Sequence, residues 1–159
     1  MIKGYGSHQP ALRALALFTP ITSVIEFGGG THSTNLFLDR TAYPDLRSLA
    51  TFESKESWAH DLECDDERHT VILEPADRFV YASAGMTADF IFIDCAPMRI
   101  RFDILRIALK LASIAAIHDC GESDVTGVTT PRYIKTFNSI VQTVVVSETM
   151  DLSELEIHG

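Results

Sequence analysis

Cysteine is scarce in this 159-residue chain: Cys64, Cys95 and Cys120, an odd number with no CxxC spacing. That argues against a disulfide framework or a zinc knuckle and predicts a reduced, cytoplasmic protein. Basic residues are also few, 13 against 22 acidic ones, for a net charge of −9. A nucleic acid or an anionic membrane would need a concentrated basic face, so neither is expected as a partner. Long apolar runs are missing. The most apolar early stretch, ALRALALFTPITSVIEF, is interrupted by Arg13 and Pro20 and reads as no membrane span. The opening MIKGYGSHQP lacks the basic-then-apolar pattern of a secretory signal. Repeats, low-complexity tracts and linkers are absent as well. What is present is an ordinary globular balance, 46% apolar and 22% charged, at a length that suits a single domain over 1–159.

Along the chain, strand-like and helix-like segments alternate. SHQPALRALALF reads as a helix with Ser7 as N-cap and Pro10 in its first turn, stopped by Pro20. TSVIEF is apolar without alternation, as a strand covered on both faces should be. A glycine turn follows, then a short helix in HSTNLFLDR. Strands are expected at 49–53, 70–75, 89–94 and in SIAAIHD. Helices are expected at 54–68 and 101–112, the latter with Phe102, Leu105, Ala108, Leu109 and Ala112 on one face. After a Gly/Ser/Thr-rich loop at 121–130, a helix opens at Pro131, and QTVVVSE and LSELEIH close the chain as strands. This rhythm predicts an α/β fold: a doubly wound, Rossmann-like, mostly parallel seven-stranded sheet with helices on both faces. The last strand, with no helix before it, is expected to run antiparallel.

The stretch SVIEFGGGTHSTNLFL (23–38) carries the functional signal. Gly28, Gly29 and Gly30 lie where an open α/β sheet binds its ligand, beyond the carboxyl end of the first strand. Glycine there lets backbone N–H groups approach a bound molecule, and the following helix adds its positive end. A merely tight turn is the alternative reading. Glu53 ends the second strand at about the offset from which a carboxylate accepts hydrogen bonds from a ribose diol. A dinucleotide fingerprint would want a third glycine where Ser33 stands. Glu26, one step ahead of the turn, would repel a pyrophosphate but accept from an ammonium. A nicotinamide-dependent oxidoreductase is therefore disfavoured.

Taken in order, IEFGGGTHSTNLFL, TFESKESW, DFIFIDCAP and AAIHDC resemble the class I S-adenosylmethionine-dependent methyltransferases, in particular the small-molecule O-methyltransferase-like branch. The resemblance implies S-adenosylmethionine (SAM) as cofactor and methyl transfer to a small-molecule acceptor. Gly28, Gly29, Gly30 and Thr31 would line the methionine part, with Glu26 near its ammonium. Glu53 would hold the ribose hydroxyls with Ser54 beside it. Pro75, Ala76 and Asp77 would flank the adenine, and Asp94 would lie near the transferred methyl group. The chain is short for this family, so acceptor contacts would come from KGYGSHQP, from 96–101, from 119–131, or from a second subunit in a homo-oligomer. A catalytically silent SAM-binding or interaction module on the same fold is the rival reading.

In the metal-dependent members, carboxylates at the ends of the fourth and fifth strands hold a divalent cation such as Mg²⁺. Asp94 and Asp119 occupy those places here, with His118 beside them. Mg²⁺ prefers oxygen donors, and an imidazole suits a transition metal better. His118 is open to three readings: metal neighbour, general base, or a structural group bonding the loop at Gly121. Asp94, His118 and Asp119 are the expected catalytic set. Arg99 and Arg101 read as solvated loop residues or binders of an acidic substrate. Tyr5 and His8 read as closing over the site or decorating a frayed terminus. Trp58 is expected to pack on the sheet, and Cys95 to fill a small buried space.

Overall fold

The computed structural model describes residues 8–118 and 143–147. Five parallel strands form the sheet: β1 (Ser23–Phe27), β2 (Ser48–Glu53), β3 (His69–Leu73), β4 (Ala88–Ile93) and β5 (Ala112–His118). A sixth, β6 (Thr143–Ser147), pairs antiparallel with β5, and the order is β3-β2-β1-β4-β5-β6. The antiparallel strand is thus already the sixth, whereas the sequence reading gave that direction to the 152–158 run. That run, the 121–130 loop, the helix at Pro131, Ser7, Tyr5, Asp119 and Cys120 lie outside the described residues. Between the strands stand α1 (Gln9–Phe18), α2 (Thr31–Leu38), α3 (Glu56–Leu62), α4 (Phe79–Ala82) and α5 (Met98–Leu111). Among the described residues, no helix is long and apolar enough to cross a membrane.

Strand alternation divides the core in two. In β4, Ile91 and Ile93 face one side, with Ile25, Phe27, Phe52, Phe79, Phe102, Ile104 and Leu105. Phe90 and Phe92 face the other, with Leu12, Val24, Phe37, Tyr43 and Leu49. Residues of α4 and α5 thus belong to one layer, and residues of α1 and α2 to the opposite one. This is the doubly wound arrangement, and it explains why β4 reads as an unbroken apolar run. Under the carboxyl edge, Phe27, Phe52 and Phe79 pack with ring centroids 5.0, 5.7 and 5.8 Å apart. Each such burial contributes roughly 1.5–3 kcal/mol, so the strand ends that carry the site residues rest on a stiff base. At the opposite edge, the Asp89 carboxylate accepts from the Thr22 and Ser23 amides at 2.7 and 3.0 Å and ties the starts of β4 and β1.

One acid stands inside the sheet. Glu26 of β1 is fully buried, and its Oε2 accepts from the hydroxyls of Thr34 (2.7 Å) and Thr51 (2.9 Å), which links β1 to α2 and β2. Oε1 has no hydrogen-bond partner. Burial pushes the carboxyl up from 4.5 to about 7, against the pull of the hydrogen bonds from Thr34 and Thr51. A carboxyl raised in this way favours the folded state fully below pH 4.5, and that contribution is lost as pH rises through about 7. The stability of the wild type relative to Glu26→Gln should therefore fall by roughly 3 kcal/mol between pH 4.5 and pH 8 and then level off. Urea unfolding across that range measures it, and a pH-independent difference refutes the assignment.

Candidate functional site

The parallel strands place the ends of β1 to β5 along one edge of the sheet. The glycine turn, Glu53, the 74–78 segment, Asp94 and His118 all lie at that edge. The three glycines have different physical reasons. Gly28 has φ +87°, and a Cβ on it would stand 2.5 Å from the Cys95 Cα and 2.7 Å from the Asp94 carbonyl carbon. A Cβ on Gly29 would strike Leu62 and Thr51 side chains at 2.3 and 2.5 Å. Gly30 is different: the nearest atom to its imaginary Cβ is the Ser33 Oγ at 3.8 Å. The protein itself needs the first two glycines, while the third faces open space.

Gly30 is also the N-cap position of α2, and no side chain caps that helix. The first amides of a helix have no partner within it, so those of Thr31, His32 and Ser33 are available to an acceptor. A cleft of about 300 Å³ opens here, lined by Gly29, Gly30, Thr31, His32, Trp58, Asp61 and Leu62. Glu53, Asp77 and Asp94 do not line it. Trp58 is 46% exposed, with the Lys55 ammonium 4.4 Å from its ring centroid. It forms a cleft wall instead of packing on the sheet as expected, because Ala59 and Leu62 take the buried face of α3.

Glu53 is buried, and its Oε1 accepts from the amides of Ser54 (2.7 Å) and Lys55 (2.8 Å). These bonds fix the carboxylate at the strand end and leave Oε2 as its second acceptor. Ser54 also approaches Oε1 with its hydroxyl at 3.4 Å. Asp77 stands exposed on a single 3₁₀ turn, Ala76–Arg78, after β3.

The densest cluster lies where β4 and β5 end. Asp94 Oδ1 stands 3.0 Å from Arg101 Nη2 and 3.2 Å from His118 Nδ1. Arg101 also donates to the backbone carbonyls of Cys95, His118 and Asp94. It belongs to the first turns of α5, which begins at Met98, and it is 8% exposed. This corrects the reading of Arg101 as a solvated or substrate-binding loop residue. Its charge is consumed in stapling the two strand ends, while Arg99 stays exposed. Cys95 is buried and its thiol is pushed up to about 12 by burial, in keeping with a filler role.

Of the two readings open for His8, its packing agrees with a place over the strand ends and not with a frayed terminus. His8 precedes α1, is 4% exposed, and packs against Phe92 and His118 with ring centroids 5.1 and 4.7 Å away. Among the described residues, neither of its ring nitrogens has a hydrogen-bond partner. Burial lowers its pKa to about 4, so the ring is neutral at pH 7. The neighbouring Gln9 donates to the His32 carbonyl at 2.9 Å, which holds the start of α1 against the start of α2. The one sequence signal for this placement was the Ser-His-Gln-Pro opening of a helix directly ahead of β1.

No protein-family model and no curated protein matches the chain. Solved structures do. The O-methyltransferase from Bacillus cereus in complex with SAH is 18% identical, with TM-score 0.59 over 74% of this chain and 58% of that one. The O-methyltransferase TomG from Streptomyces achromogenes, involved in tomaymycin synthesis and in complex with SAM, is 18% identical, with TM-score 0.54 over 72% and 62%. Spermidine synthase from Thermotoga maritima is 13% identical, with TM-score 0.54 over 71% and 43%. The chain thus spans about three-fifths of the length of the two methyltransferases. Its fold is that of the class I SAM-dependent methyltransferases.

Proposed function

We propose that this chain binds SAM at the carboxyl edge of its sheet and transfers the methyl group to an oxygen of a small-molecule acceptor. The observation that carries this reading is the pairing of an uncapped glycine turn, open to approach at Gly30, with a carboxylate at the end of the next strand. Solved structures of the same fold hold SAM or SAH, which supports the donor.

In this reading the amides after Gly29, Gly30 and Thr31 meet the methionine carboxylate. Gly28 sets the bend, and Glu26 braces the turn from below through Thr34. Glu53 takes the ribose hydroxyls with Ser54 beside it, and Asp77 flanks the adenine. Methyl transfer is an in-line displacement: a new O–C bond forms, the C–S bond breaks, and the acceptor loses a proton. Asp94 and His118 are the groups placed to receive that proton or to hold the acceptor oxygen. Asp119 follows them directly in sequence and completes the proposed set. A seventh strand from 152–158, a cytoplasmic setting, and acceptor contacts from 3–10, 96–101, 119–131 or a second subunit belong to the same proposal. A silent binding module would keep SAM but release no methyl group.

Calorimetry with SAM provides the first test. Gly30→Ala, at a position where the fold has room, should leave the melting temperature nearly unchanged and weaken SAM at least 10-fold. Glu53→Gln, which keeps the carbonyl facing Ser54 and Lys55, should also weaken SAM about 10-fold or more, the worth of one hydrogen bond to a charged group. Full SAM affinity in both variants overturns the cofactor assignment. For turnover, Asp94→Asn should cost about 10²–10⁴-fold in methyl release into a pool of hydroxylated acceptors, with SAM affinity changed less than about 3-fold. Undiminished turnover removes Asp94 from the reaction.

A further inference from the structure

A chain of hydrogen bonds runs from the buried acid of β1 to the protein surface. The Thr51 hydroxyl donates to Glu26 Oε2 at 2.9 Å, and its oxygen stands 3.0 Å from His69 Nε2. On the other side of the ring, His69 Nδ1 stands 3.5 Å from the sulfur of Cys64, which is exposed. Burial holds the His69 pKa below its ordinary value, against the pull of the Asp66 charge, so the ring is neutral at pH 7 and carries one proton. Thr51 gives its only hydrogen to Glu26, so its oxygen accepts from Nε2–H. Nδ1 is then a bare acceptor facing the thiol. Nucleophile, base and a third group that orients the base stand in succession, which is the arrangement that activates a thiol. A thiol that merely sat at the surface would need no oriented imidazole.

We propose that Cys64 is a nucleophilic thiol that reacts with small uncharged hydroperoxides, with His69 as its base and Thr51 as the residue that positions the ring. Charge around the sulfur selects the electrophile. Glu63 and Asp65 flank Cys64 in sequence, Glu67 follows, and all three are exposed. They repel anionic reagents such as glutathione disulfide. Arg68 offsets them at short range. It is 8% exposed, and among the described residues its Nη1 has no hydrogen-bond partner. Its pKa is raised by the hydrogen bonds to Asp66 first, and then by the charges of Asp66, Cys64 and Glu67. A guanidinium with an unused donor, within electrostatic reach of the sulfur, favours the negative charge that builds there during attack. In the step, the Cys64 sulfur attacks one peroxide oxygen: an S–O bond forms and the O–O bond breaks. Nδ1 takes the thiol proton and returns it to the departing oxygen, which leaves as water when the reagent is hydrogen peroxide. Sulfur is oxidised by two electrons to a sulfenic acid, and the peroxide is reduced.

The test uses full-length protein and hydrogen peroxide, with dimedone present to trap the sulfenic acid and peptide mass spectrometry to locate it. Cys64 should be trapped about 10²-fold faster in the folded protein than in the same protein unfolded in urea, the lower range of general-base assistance. Glutathione disulfide, compared in the same way, should show a smaller acceleration. Cys95, which is buried, should stay unmodified in the folded protein. His69→Gln should bring the folded rate back to about the unfolded one. Thr51→Val should lower it about 10-fold, and Thr51→Ser, which keeps the hydroxyl, should restore it. Equal rates in folded and unfolded wild type, an undiminished rate in a folded His69→Gln, or a larger acceleration with the disulfide overturns the proposal. The wild-type comparison decides the matter even if a variant fails to fold. No methyl donor enters the test, so its failure is separate from a failure of the SAM reading.

Discussion

Two backbones touch at Gly28, and the geometry of the carboxyl edge depends on that contact. The left-handed φ there turns the chain out of β1, and the missing Cβ lets it pass against Asp94 and Cys95 at the end of β4. The Asp94 amide donates to the Phe27 carbonyl at 2.8 Å, and the Gly28 amide donates to the Phe52 carbonyl at 2.8 Å. The glycine turn is thereby locked to both neighbouring strands. Any ligand held by the amides after Gly30 is consequently held at a fixed distance from Asp94. In structural terms, that coupling allows a donor and an acceptor to meet in one geometry.

Buried polar groups supply the rest of the order. Glu26 joins β1 to α2 and β2, while Arg101 joins α5 to the ends of β4 and β5. Each is paired only in part or in an unusual way: Glu26 keeps a bare oxygen, and Arg101 spends most of its donors on carbonyls. Such groups are expensive to bury, and apolar replacements would pack there at lower cost. Their presence at the carboxyl edge, and not in the middle of either core layer, fits a region shaped for binding.

The parallel strands were legible in the sequence because strands covered on both faces are continuous apolar runs. β4 is expected at 89–94 and found at Ala88–Ile93; β1 agrees as closely. The acidic helix after β2 is shorter than its sequence suggests. Asp66 and Arg68 pair at 2.6 Å, and the Arg68 guanidinium reaches the Leu38 carbonyl, so that segment turns instead of continuing the helix. Arg101 was misread, and His8 was left between two readings, for a shared reason. Their partners come from β4 and β5, far away in sequence, and no local pattern distinguishes a solvated charge from one sunk among carbonyls. Trp58 shows the converse, since an aromatic residue near a strand end reads as core unless the length of its helix is known. The glycine turn was located correctly, but two of its three glycines answer to packing against protein atoms.

Fold alone does not select the chemistry, because O-methyltransferases and a spermidine synthase share this sheet. Charge narrows the choice. A pyrophosphate at the glycine turn would bring negative charge toward Glu26, and the guanidinium placed between β4 and β5 is already spent. In the proposed reading SAM would instead bring an ammonium toward Glu26, which that buried acid would not oppose. At an interior effective dielectric near 20, a unit charge 4 Å from a carboxylate is worth about 4 kcal/mol before desolvation. In the proposed reading, the sign of that interaction, more than the glycine pattern, favours SAM over a nicotinamide dinucleotide at this turn.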